Sequence, residues 1–372
     1  MKRNQPYKGF EQGPIRPPSE GGSLLIRVTR NCPWNRCTFC GLYKDTTFSL
    51  RPVSHVLKDI DLILRYVERI KNGEKMYSQT SQGDEMAFYA ALTWFRNGMK
   101  SVFLQDSNSL IIKPDDLVTI LQYLKETFPE IERITSYARS HTIARISNQD
   151  LDRMAAAGLN RIHIGMESAS DRVLALVKKG SDKAMQIRAG RKVKQAGMQL
   201  SEYFIPGLGG RVLSKEHAVE TADALNQINP DFIRLRTLVV PDDVELFKDL
   251  SAGTFEPMGD TMVAEEILLF IESLKGITST VKSDHIVNLF QEVEGTLPEG
   301  KERMTSVIKR FLSMGLEEQM LFQIGRRSGI FSRLEDLKDP ELRKYAERNY
   351  SDLKVTPQKI DSIVAEIMKR FI

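Results

Sequence analysis

The chain has 372 residues, of which 41% are hydrophobic and 27% are charged, and its formal net charge is only +4. This balance predicts a globular protein with one large core and a smaller domain, and it permits a nucleic-acid partner without indicating one. No apolar run reaches the roughly 20 residues that a membrane span requires, and no hydrophobic signal segment is present, so we expect a cytoplasmic protein.

In chain order, the first region is an irregular arm over residues 1–22, which is rich in proline and glycine and shows no periodicity. Residues 23–240 then alternate between short strands and amphipathic helices. We predict six strands, over residues 24–29, 101–105, 133–139, 161–167, 199–205 and 232–238. Strand–helix units with right-handed crossovers predict an α/β fold, a partial (β/α)6 barrel of the TIM type.

The remaining residues, 241–372, predict a helix-rich C-terminal domain. Their apolar residues recur at helical spacing, which we interpret as packing faces. We predict helices over residues 264–275, 283–290, 301–312 and 317–325, and a tail helix from residue 356.

All three cysteines lie on one short segment directly after the first predicted strand, in the sequence Cys32-Pro33-Trp34-Asn35-Arg36-Cys37-Thr38-Phe39-Cys40. An odd number of closely spaced cysteines argues against a disulfide framework. Three thiolates on a loop at the carboxyl end of a strand indicate a metal site with one vacant position. An iron–sulfur cluster suits three cysteine ligands, whereas zinc needs a fourth, for which His55 is the nearest histidine. We favour the cluster, and zinc stays open.

Polar and apolar residues alternate along three of the predicted strands, over residues 133–139, 161–167 and 232–238. Because the outer faces of these strands must pack on helices, the polar faces should point into the barrel, toward a polar ligand. Arg139, Arg234 and Arg236 suggest that this ligand carries carboxylate or phosphate groups. The alternative is that individual arginines pair with carboxylates such as Glu167 or lie at exposed strand ends.

The cysteine spacing, C-x4-C-x2-C, resembles the motif of the radical S-adenosylmethionine (SAM) superfamily, whose commoner form is C-x3-C-x2-C. The longer first gap is similar to that of the elongator catalytic subunit family. The resemblance implies that Cys32, Cys37 and Cys40 hold a [4Fe–4S] cluster and that SAM chelates the fourth iron. It also implies cleavage of SAM to a 5'-deoxyadenosyl radical that abstracts hydrogen from a polar, anionic substrate.

The same resemblance assigns residues at the carboxyl ends of the strands to SAM. Phe39 occupies the position of an aromatic residue that lies against the adenine. The segment from Gly165 to Ser168 matches a Gly-x-Glu-Ser sequence of the coproporphyrinogen oxidase and methylthiotransferase families, which assigns Glu167 and Ser168. Twelve residues beyond Glu167, relatives often carry an arginine, and Lys179 here keeps the charge but loses the bidentate fork. Further candidates for contact with SAM are Asp106, Ser107, Tyr203 and Ile205.

For the substrate, we place Arg139, Arg234, Arg236 and His285 around its binding site and assign no catalytic residue. The resemblance implies a small-molecule substrate and an electron donor such as flavodoxin or ferredoxin. Two alternatives stay open. The first is a coproporphyrinogen-oxidase-like protein that acts on porphyrins or binds haem. The second is a non-enzymatic iron–sulfur or zinc-containing RNA-binding protein.

Overall fold

The computed structural model of the chain describes residues 6–73 and 82–371. The first five residues of the predicted arm lie outside this description. The strands are β1 (Leu24–Arg27), β2 (Thr29–Arg30), β3 (Ser49–Leu50), β4 (Ser101–Gln105), β5 (Arg133–Ala138), β6 (Leu159–Glu167), β7 (Gln199–Phe204), β8 (Phe232–Leu235), β9 (Thr280–Lys282) and β10 (Gly295–Thr296).

The helices account for most of the other described residues. They are α1 (Val53–Lys71), α2 (Gln82–Arg96), α3 (Pro114–Thr127), α4 (Ser140–Ile143), α5 (Asn148–Ala156), α6 (Asp171–Leu176), α7 (Lys183–Gln195), α8 (Gly210–Ile228), α9 (Glu245–Ser251), α10 (Asp260–Ser273), α11 (Lys301–Leu312), α12 (Leu316–Arg327), α13 (Pro340–Asp352) and α14 (Ile360–Met368). No helix in residues 6–73 or 82–371 has both the length and the apolar character that a membrane crossing needs. The expected cytoplasmic location stays a prediction.

The main sheet has eight strands in the order β1-β4-β5-β6-β7-β8-β9-β10, and β2 pairs with β3 in a separate small sheet. Neighbours from β1 to β6 and from β7 to β9 pair in parallel, whereas β10 pairs with β9 in the antiparallel direction. All six predicted strands are present. An open, mostly parallel sheet with surrounding helices confirms the predicted α/β fold class.

Burial along the strands explains why the sequence forms this sheet. Val102 and Leu104 of β4, Ile134 of β5, and Ile162 and Ile164 of β6 are almost completely buried. These residues alternate with the polar or aromatic residues of the same strands, and apolar burial of a helix-facing surface is the main stabilising term for such a sheet.

The C-terminal region departs from its prediction in its strands and in two helices, α9 and α13, that were not predicted. Residues 280–282 and 295–296 add β9 and β10 to the sheet, and the helix predicted over residues 283–290 is absent. Asn288 explains the difference, because its side chain donates to the Leu235 carbonyl (2.8 Å) and accepts from the Thr237 amide (2.9 Å), as a neighbouring strand would do. The helix α13 was not predicted, although Asp339 caps it by accepting from the amides of its first turn.

The chain divides into two compact units. The first contains the described residues up to Asn35, Tyr43–Ile164 and Arg191–Leu200, and the second contains Arg36–Leu42, Gly165–Gly190 and the described residues from Ser201 onward. Strands β1 to β5 belong to the first unit, and β8 to β10 belong to the second. The predicted domain boundaries at residues 22 and 240 stay a prediction.

Within the first unit, the arm is fastened by specific polar contacts. The Tyr7 hydroxyl donates to Asp59 (2.7 Å), and the Gly13 amide donates to the Gln105 side chain (2.8 Å). Glu11 forms ion pairs with Arg30 (2.8 Å) and Arg51 (2.5 Å). The arm is therefore irregular in conformation, as predicted, but it has defined partners.

Candidate cofactor and substrate site

The cysteine segment begins in the first unit with two residues in the left-handed conformation. Asn31 has φ 66° and Asn35 has φ 47°, and asparagine tolerates this region better than most residues. Between them, the Asn35 amide donates to the Cys32 sulfur at 3.4 Å. This hydrogen bond fixes the position of the Cys32 sulfur relative to the backbone of the segment.

Asp106, predicted to contact SAM, instead supports the start of this segment. Its carboxylate is fully buried and accepts from Arg27 (2.7 Å), from the Asn31 amide (3.0 Å) and from the Tyr43 hydroxyl (2.9 Å). Burial, followed by the charge of Asp106, raises the pKa of Tyr43. Ser107 donates to the Asn31 carbonyl at 3.1 Å. Both predicted residues therefore hold the residue before Cys32, and these contacts do not favour a direct contact with SAM.

The later part of the cysteine segment is anchored in the second unit through its backbone. The Thr38 amide donates to the Val177 carbonyl (3.0 Å), and the Thr38 carbonyl accepts from the Leu246 amide (2.8 Å). Phe39, like the partly buried Ile205 and Leu238, then packs against a buried apolar cluster that includes Val177 and Leu208. The two backbone hydrogen bonds of Thr38 thus fix the position of the adjacent Phe39, and they do not depend on any side chain.

Three residues assigned to SAM from separate segments lie together around Phe39. The Lys179 ammonium lies over the Phe39 ring at 6.0 Å from its centroid and 3.1 Å from Glu167 Oε1. The Ile205 amide donates to the Glu167 carbonyl at 3.0 Å. We call Phe39, Glu167, Lys179 and Ile205 the Phe39 cluster.

Gly165 makes room for this cluster. A Cβ atom at Gly165 would lie 2.1 Å from Glu167 Oε1 and 3.2 Å from the Lys179 ammonium. Glu167 itself has φ 63°, which turns the chain at the end of β6. The glycine of the predicted Gly-x-Glu-Ser segment is therefore required by the close approach of the two charged side chains.

Ser168 faces the protein interior. Its hydroxyl is fully buried, lies 2.8 Å from His217 Nδ1 and accepts from the Ser170 amide at 3.0 Å. His217 Nε2 donates to the Ile205 carbonyl at 2.9 Å, which leaves Nδ1 to accept from Ser168. Because the hydroxyl is engaged in this way, its contacts do not favour the predicted position of Ser168 against SAM.

His217 and Glu266 were missed in the sequence, and they connect the ends of two strands. Burial lowers the pKa of His217 to about 4, so the ring is neutral near pH 7. Glu266 Oε1 accepts from the Gly207 amide at 2.7 Å, and burial raises its pKa to about 7. In the sequence, each of them is a single polar or charged residue among the apolar residues of a helix. Such residues are common on helices at protein surfaces, so the sequence gives little reason to single them out.

The predicted substrate residues Arg234 and Arg236 lie on one strand end but have different partners. Arg234 is buried, forms an ion pair with Asp284 and donates to Ser201 at 3.1 Å. Its charge is therefore neutralised within the protein, which is the alternative left open for individual arginines. Arg236 lies over the Tyr203 ring at 4.8 Å, and no carboxylate within the described residues pairs with it.

His285 lies close enough to Arg236 to respond to its charge. Burial, followed by the positive charge of Arg236, lowers the pKa of His285 to about 4, against an opposing effect of Asp284. We call Tyr203, Arg236 and His285 the Arg236 cluster. Arg139 belongs to the first unit, where its guanidinium lies over the Trp34 ring at 4.9 Å.

Glu202 of β7 is a further residue that the sequence reasoning missed. Its carboxylate is buried, and neither oxygen has a hydrogen-bond partner in the part of the chain that the structure describes. Burial, followed by the charge of Glu167, raises its pKa well above the usual value. A lone glutamate in an apolar strand was the available signal.

The three cysteine side chains of this segment are of the chemical type that binds an iron–sulfur cluster, but their positions in the structure do not form a gathered set of metal ligands. All three thiols are half-buried, none forms a disulfide, and Cys32 already accepts an amide. Among the described residues, however, no three His, Cys, Asp or Glu side chains are gathered so that they could hold a metal ion. The assignment of the ligands therefore rests on the chemistry of three cysteine thiols, close together in the sequence and outside any disulfide.

A mostly parallel sheet with three cysteines after its first strand, none of them in a disulfide, defines an α/β protein with a candidate iron–sulfur site. The family model described as the radical SAM superfamily matches residues 26–225, which is more than half of the chain. The chain therefore belongs to the radical SAM superfamily, whose members use a [4Fe–4S] cluster and SAM, and it is an enzyme of this class. This membership favours an enzyme over a non-enzymatic iron–sulfur or zinc protein.

Two curated proteins that are similar to this chain have one name in common. The tRNA uridine(34) acetyltransferase of Methanocaldococcus infernus is 20% identical over 255 residues, which cover 63% of this chain and 46% of the relative. The enzyme of that name from Methanocaldococcus jannaschii is 21% identical over 127 residues, which cover 34% of this chain and 23% of the relative. This chain thus spans less than half the length of these relatives.

Solved structures also resemble the chain. An archaeal Elp3 from Methanocaldococcus infernus gives a TM-score of 0.44 at 15% identity and covers 78% of this chain and 63% of that one. Coproporphyrinogen III oxidase from Escherichia coli gives a TM-score of 0.45 at 15% identity and covers 67% of this chain and 52% of that one.

Proposed function

We propose that Cys32, Cys37 and Cys40 hold the [4Fe–4S] cluster, and that the enzyme uses SAM to abstract hydrogen from an anionic substrate that binds beside Arg236. The observation that carries the proposal is the Phe39 cluster. Its members come from separated segments of the sequence, occupy the positions that the family resemblance assigns to SAM, and lie together.

Each residue of the Phe39 cluster has a role in this proposal. Phe39 offers an apolar face to the adenine, with Ile205 beside it. Lys179 binds the carboxylate of the methionine part, and Glu167 accepts hydrogen bonds from the ribose while it holds Lys179 in place. When bound, the cluster supplies the electron that cleaves SAM and so generates the 5'-deoxyadenosyl radical.

The Arg236 cluster supports an anionic substrate. A half-buried guanidinium with no carboxylate partner in the described residues is unfavourable unless a ligand or water compensates for its charge. A carboxylate or phosphate that accepts two parallel N–H bonds from Arg236 would supply that compensation. His285 is neutral near pH 7 and can offer one more hydrogen bond without adding charge.

The ligand assignment is tested by anaerobic reconstitution with iron and sulfide. The readouts are iron content, the electron paramagnetic resonance signal after reduction, and 5'-deoxyadenosine formed from SAM and dithionite. Wild-type protein should hold about four irons per chain. Cys37→Ala should lose the cluster signal and the product, whereas the neighbouring Thr38→Ser should keep both because Thr38 is anchored through its backbone. Tightly bound zinc and no bound iron would overturn the proposal.

A tRNA is the second candidate for the anionic substrate. Both curated relatives are named tRNA uridine(34) acetyltransferases. In this chain, α7 carries five basic residues and no acidic residue: Lys183, Arg188, Arg191, Lys192 and Lys194. A basic helix of this kind can contact phosphates, which give binding a strong dependence on salt.

Filter binding of bulk tRNA at roughly 50 and 200 mM salt tests this candidate. The double variant Arg188→Gln/Arg191→Gln should bind more weakly and with a smaller salt slope. The double variant Lys344→Gln/Arg348→Gln removes two exposed charges from α13 and serves as the control. Equal losses in both variants would reject a specific contact through α7.

A further inference from the structure

The second unit contains a cavity of about 530 Å³, to which the proposed function assigns no ligand. It lies beside the turn after β7, the segment after β8, and the helices α9 and α14. Its volume falls within the range of small-molecule sites, roughly 300–1,000 Å³. Its apolar lining includes Leu238, Val240, Phe247, Leu250, Val263 and Met368.

The walls of the cavity keep apolar surface available. Leu238, Val240, Phe247 and Leu250 pack in one cluster, yet all four are only partly buried. Apolar surface in contact with water costs about 25 cal/mol per Å² relative to its burial. An apolar ligand in the cavity would recover part of this free energy.

One wall of the cavity is α14, which is held by polar contacts near both ends. Asp361 lies 3.6 Å from Arg211, and Lys369, just beyond the helix, lies 2.7 Å from Asp242. The Lys369 ammonium also lies over the Phe247 ring at 5.6 Å. Exposed ion pairs contribute only about 0–1 kcal/mol, so these contacts can open to admit a ligand.

The charges around the cavity select the polar end of that ligand. Its lining includes four carboxylates, Glu256, Asp260, Asp361 and Glu366, against the two cations Arg211 and Lys369. Both cations already pair with carboxylates, and Asp260 is neutralised by Arg327. An anionic group would find no unpaired cation among these residues, whereas an ammonium group would find Glu256, the one lining carboxylate that forms no ion pair within the described residues.

We propose that this cavity binds a largely apolar small molecule with a cationic head, such as a long-chain amine. The site is connected to the Phe39 cluster by packing. Leu238 and Val240 line the cavity and pack against the buried residues Val244, Leu246 and Phe255, against which Phe39 also packs. The cavity and Phe39 therefore share one buried apolar cluster. This binding does not depend on the cluster or on SAM.

Isothermal titration calorimetry of the full chain with decylammonium and decanoate tests the proposal. The two probes have the same chain length and opposite charge, and both are used below their micelle concentrations. Decylammonium should bind at one site, at least about tenfold more tightly than decanoate, because each tenfold corresponds to 1.4 kcal/mol and one uncompensated charge supplies about that much. Equal affinity of the two probes, or tighter binding of decanoate, would overturn the charge assignment.

Two substitutions locate the binding. Ala365→Trp, on an exposed position of α14 that lines the cavity, should abolish decylammonium binding, and Leu250→Trp should do the same from the facing wall. Gln358→Trp, exposed just before α14 and outside the lining, should bind as the wild type does. Thermal unfolding checks that each variant is folded. Unchanged binding in both folded cavity variants would place the probe elsewhere and overturn the proposal.

Discussion

The Phe39 cluster and the Arg236 cluster both place a cation against an aromatic ring, but they differ in charge balance. In the Phe39 cluster, Lys179 lies over a ring and also pairs with Glu167. In the Arg236 cluster, the guanidinium lies over Tyr203 without a carboxylate partner in the described residues, and its charge lowers the pKa of His285. In the first arrangement the lysine charge is balanced by a carboxylate, and in the second the described residues supply no carboxylate for the arginine.

This difference in charge balance distinguishes the Phe39 cluster from the Arg236 cluster as two kinds of candidate binding site. A ligand such as SAM, which carries both charges on its methionine part, matches a neutralised lysine–glutamate pair. A substrate with net negative charge matches an uncompensated arginine. The comparison of Arg234 with Arg236 makes the same point, since Asp284 neutralises the first of two arginines that lie two residues apart.

The largest expected effect comes from crowding the Phe39 cluster. In Gly165→Ala, the new methyl group would meet Glu167 Oε1 at 2.1 Å and must displace it from Lys179. We expect SAM affinity, measured by equilibrium dialysis on reconstituted enzyme, to fall by roughly 10–100-fold, the loss typical of charged hydrogen bonds. Gly315→Ala is the matched control, because nothing lies within 4 Å of a Cβ there. Equal SAM affinity in the two variants would show that Glu167 does not contribute to SAM binding.

The next effect concerns His217, which connects the ends of β6 and β7 through its hydrogen bonds to Ser168 and to the Ile205 carbonyl. The pKa of His217 is lowered to about 4, so the unfolded state binds more protons between pH 6.5 and about pH 4. Stability contributed by neutral His217 is therefore complete above pH 6.5 and is lost as pH falls toward 4, by up to about 3 kcal/mol. Urea unfolding of wild type and His217→Gln should converge over this range. Parallel pH profiles would show that His217 is not buried as a neutral ring.

Lys179 tests whether charge or geometry matters in the Phe39 cluster. Lys179→Met removes the charge above Phe39 and leaves Glu167 unpaired, so SAM affinity should fall about tenfold. Lys179→Arg keeps the charge and restores the fork that relatives carry, so it should bind SAM at least as tightly as wild type. Equal losses in both variants would point to packing and not to charge.

The smallest effect is a titration in the Arg236 cluster. Arg236→Gln removes the charge that helps to lower the pKa of His285, so this pKa should rise from about 4 toward its ordinary value. Nuclear magnetic resonance titration of the histidine ring protons measures the change. The same variant should bind inorganic pyrophosphate, a simple anionic probe, several-fold more weakly, whereas Lys282→Gln, a charge paired with Glu294, should not. An unchanged His285 pKa in this variant would show that Arg236 and His285 do not interact, and the Arg236 cluster would be wrong.

The sequence by itself determined the strand pattern, the cysteine segment and the Gly165–Ser168 turn. Those features depend on local periodicity and on residues that are close in the chain, such as Phe39 between two cysteines. The assignment of Glu167 and Lys179 followed from the resemblance to the radical SAM superfamily, in which relatives carry a Gly-x-Glu-Ser segment and often an arginine twelve residues beyond its glutamate. None of these inferences required knowledge of distant contacts.

Only the tertiary structure decided which polar groups are already satisfied. Asp106 binds Arg27, Arg234 binds Asp284 and Ser168 binds His217 across separations that no local pattern encodes. The absence of the helix predicted over residues 283–290 and the presence of β9 and β10 on either side have the same origin. β9 pairs with β8 and β10 pairs with β9, and this long-range pairing outweighs local propensity. Long-range pairing sets the charge of a buried site, and a sequence lists charges without their partners.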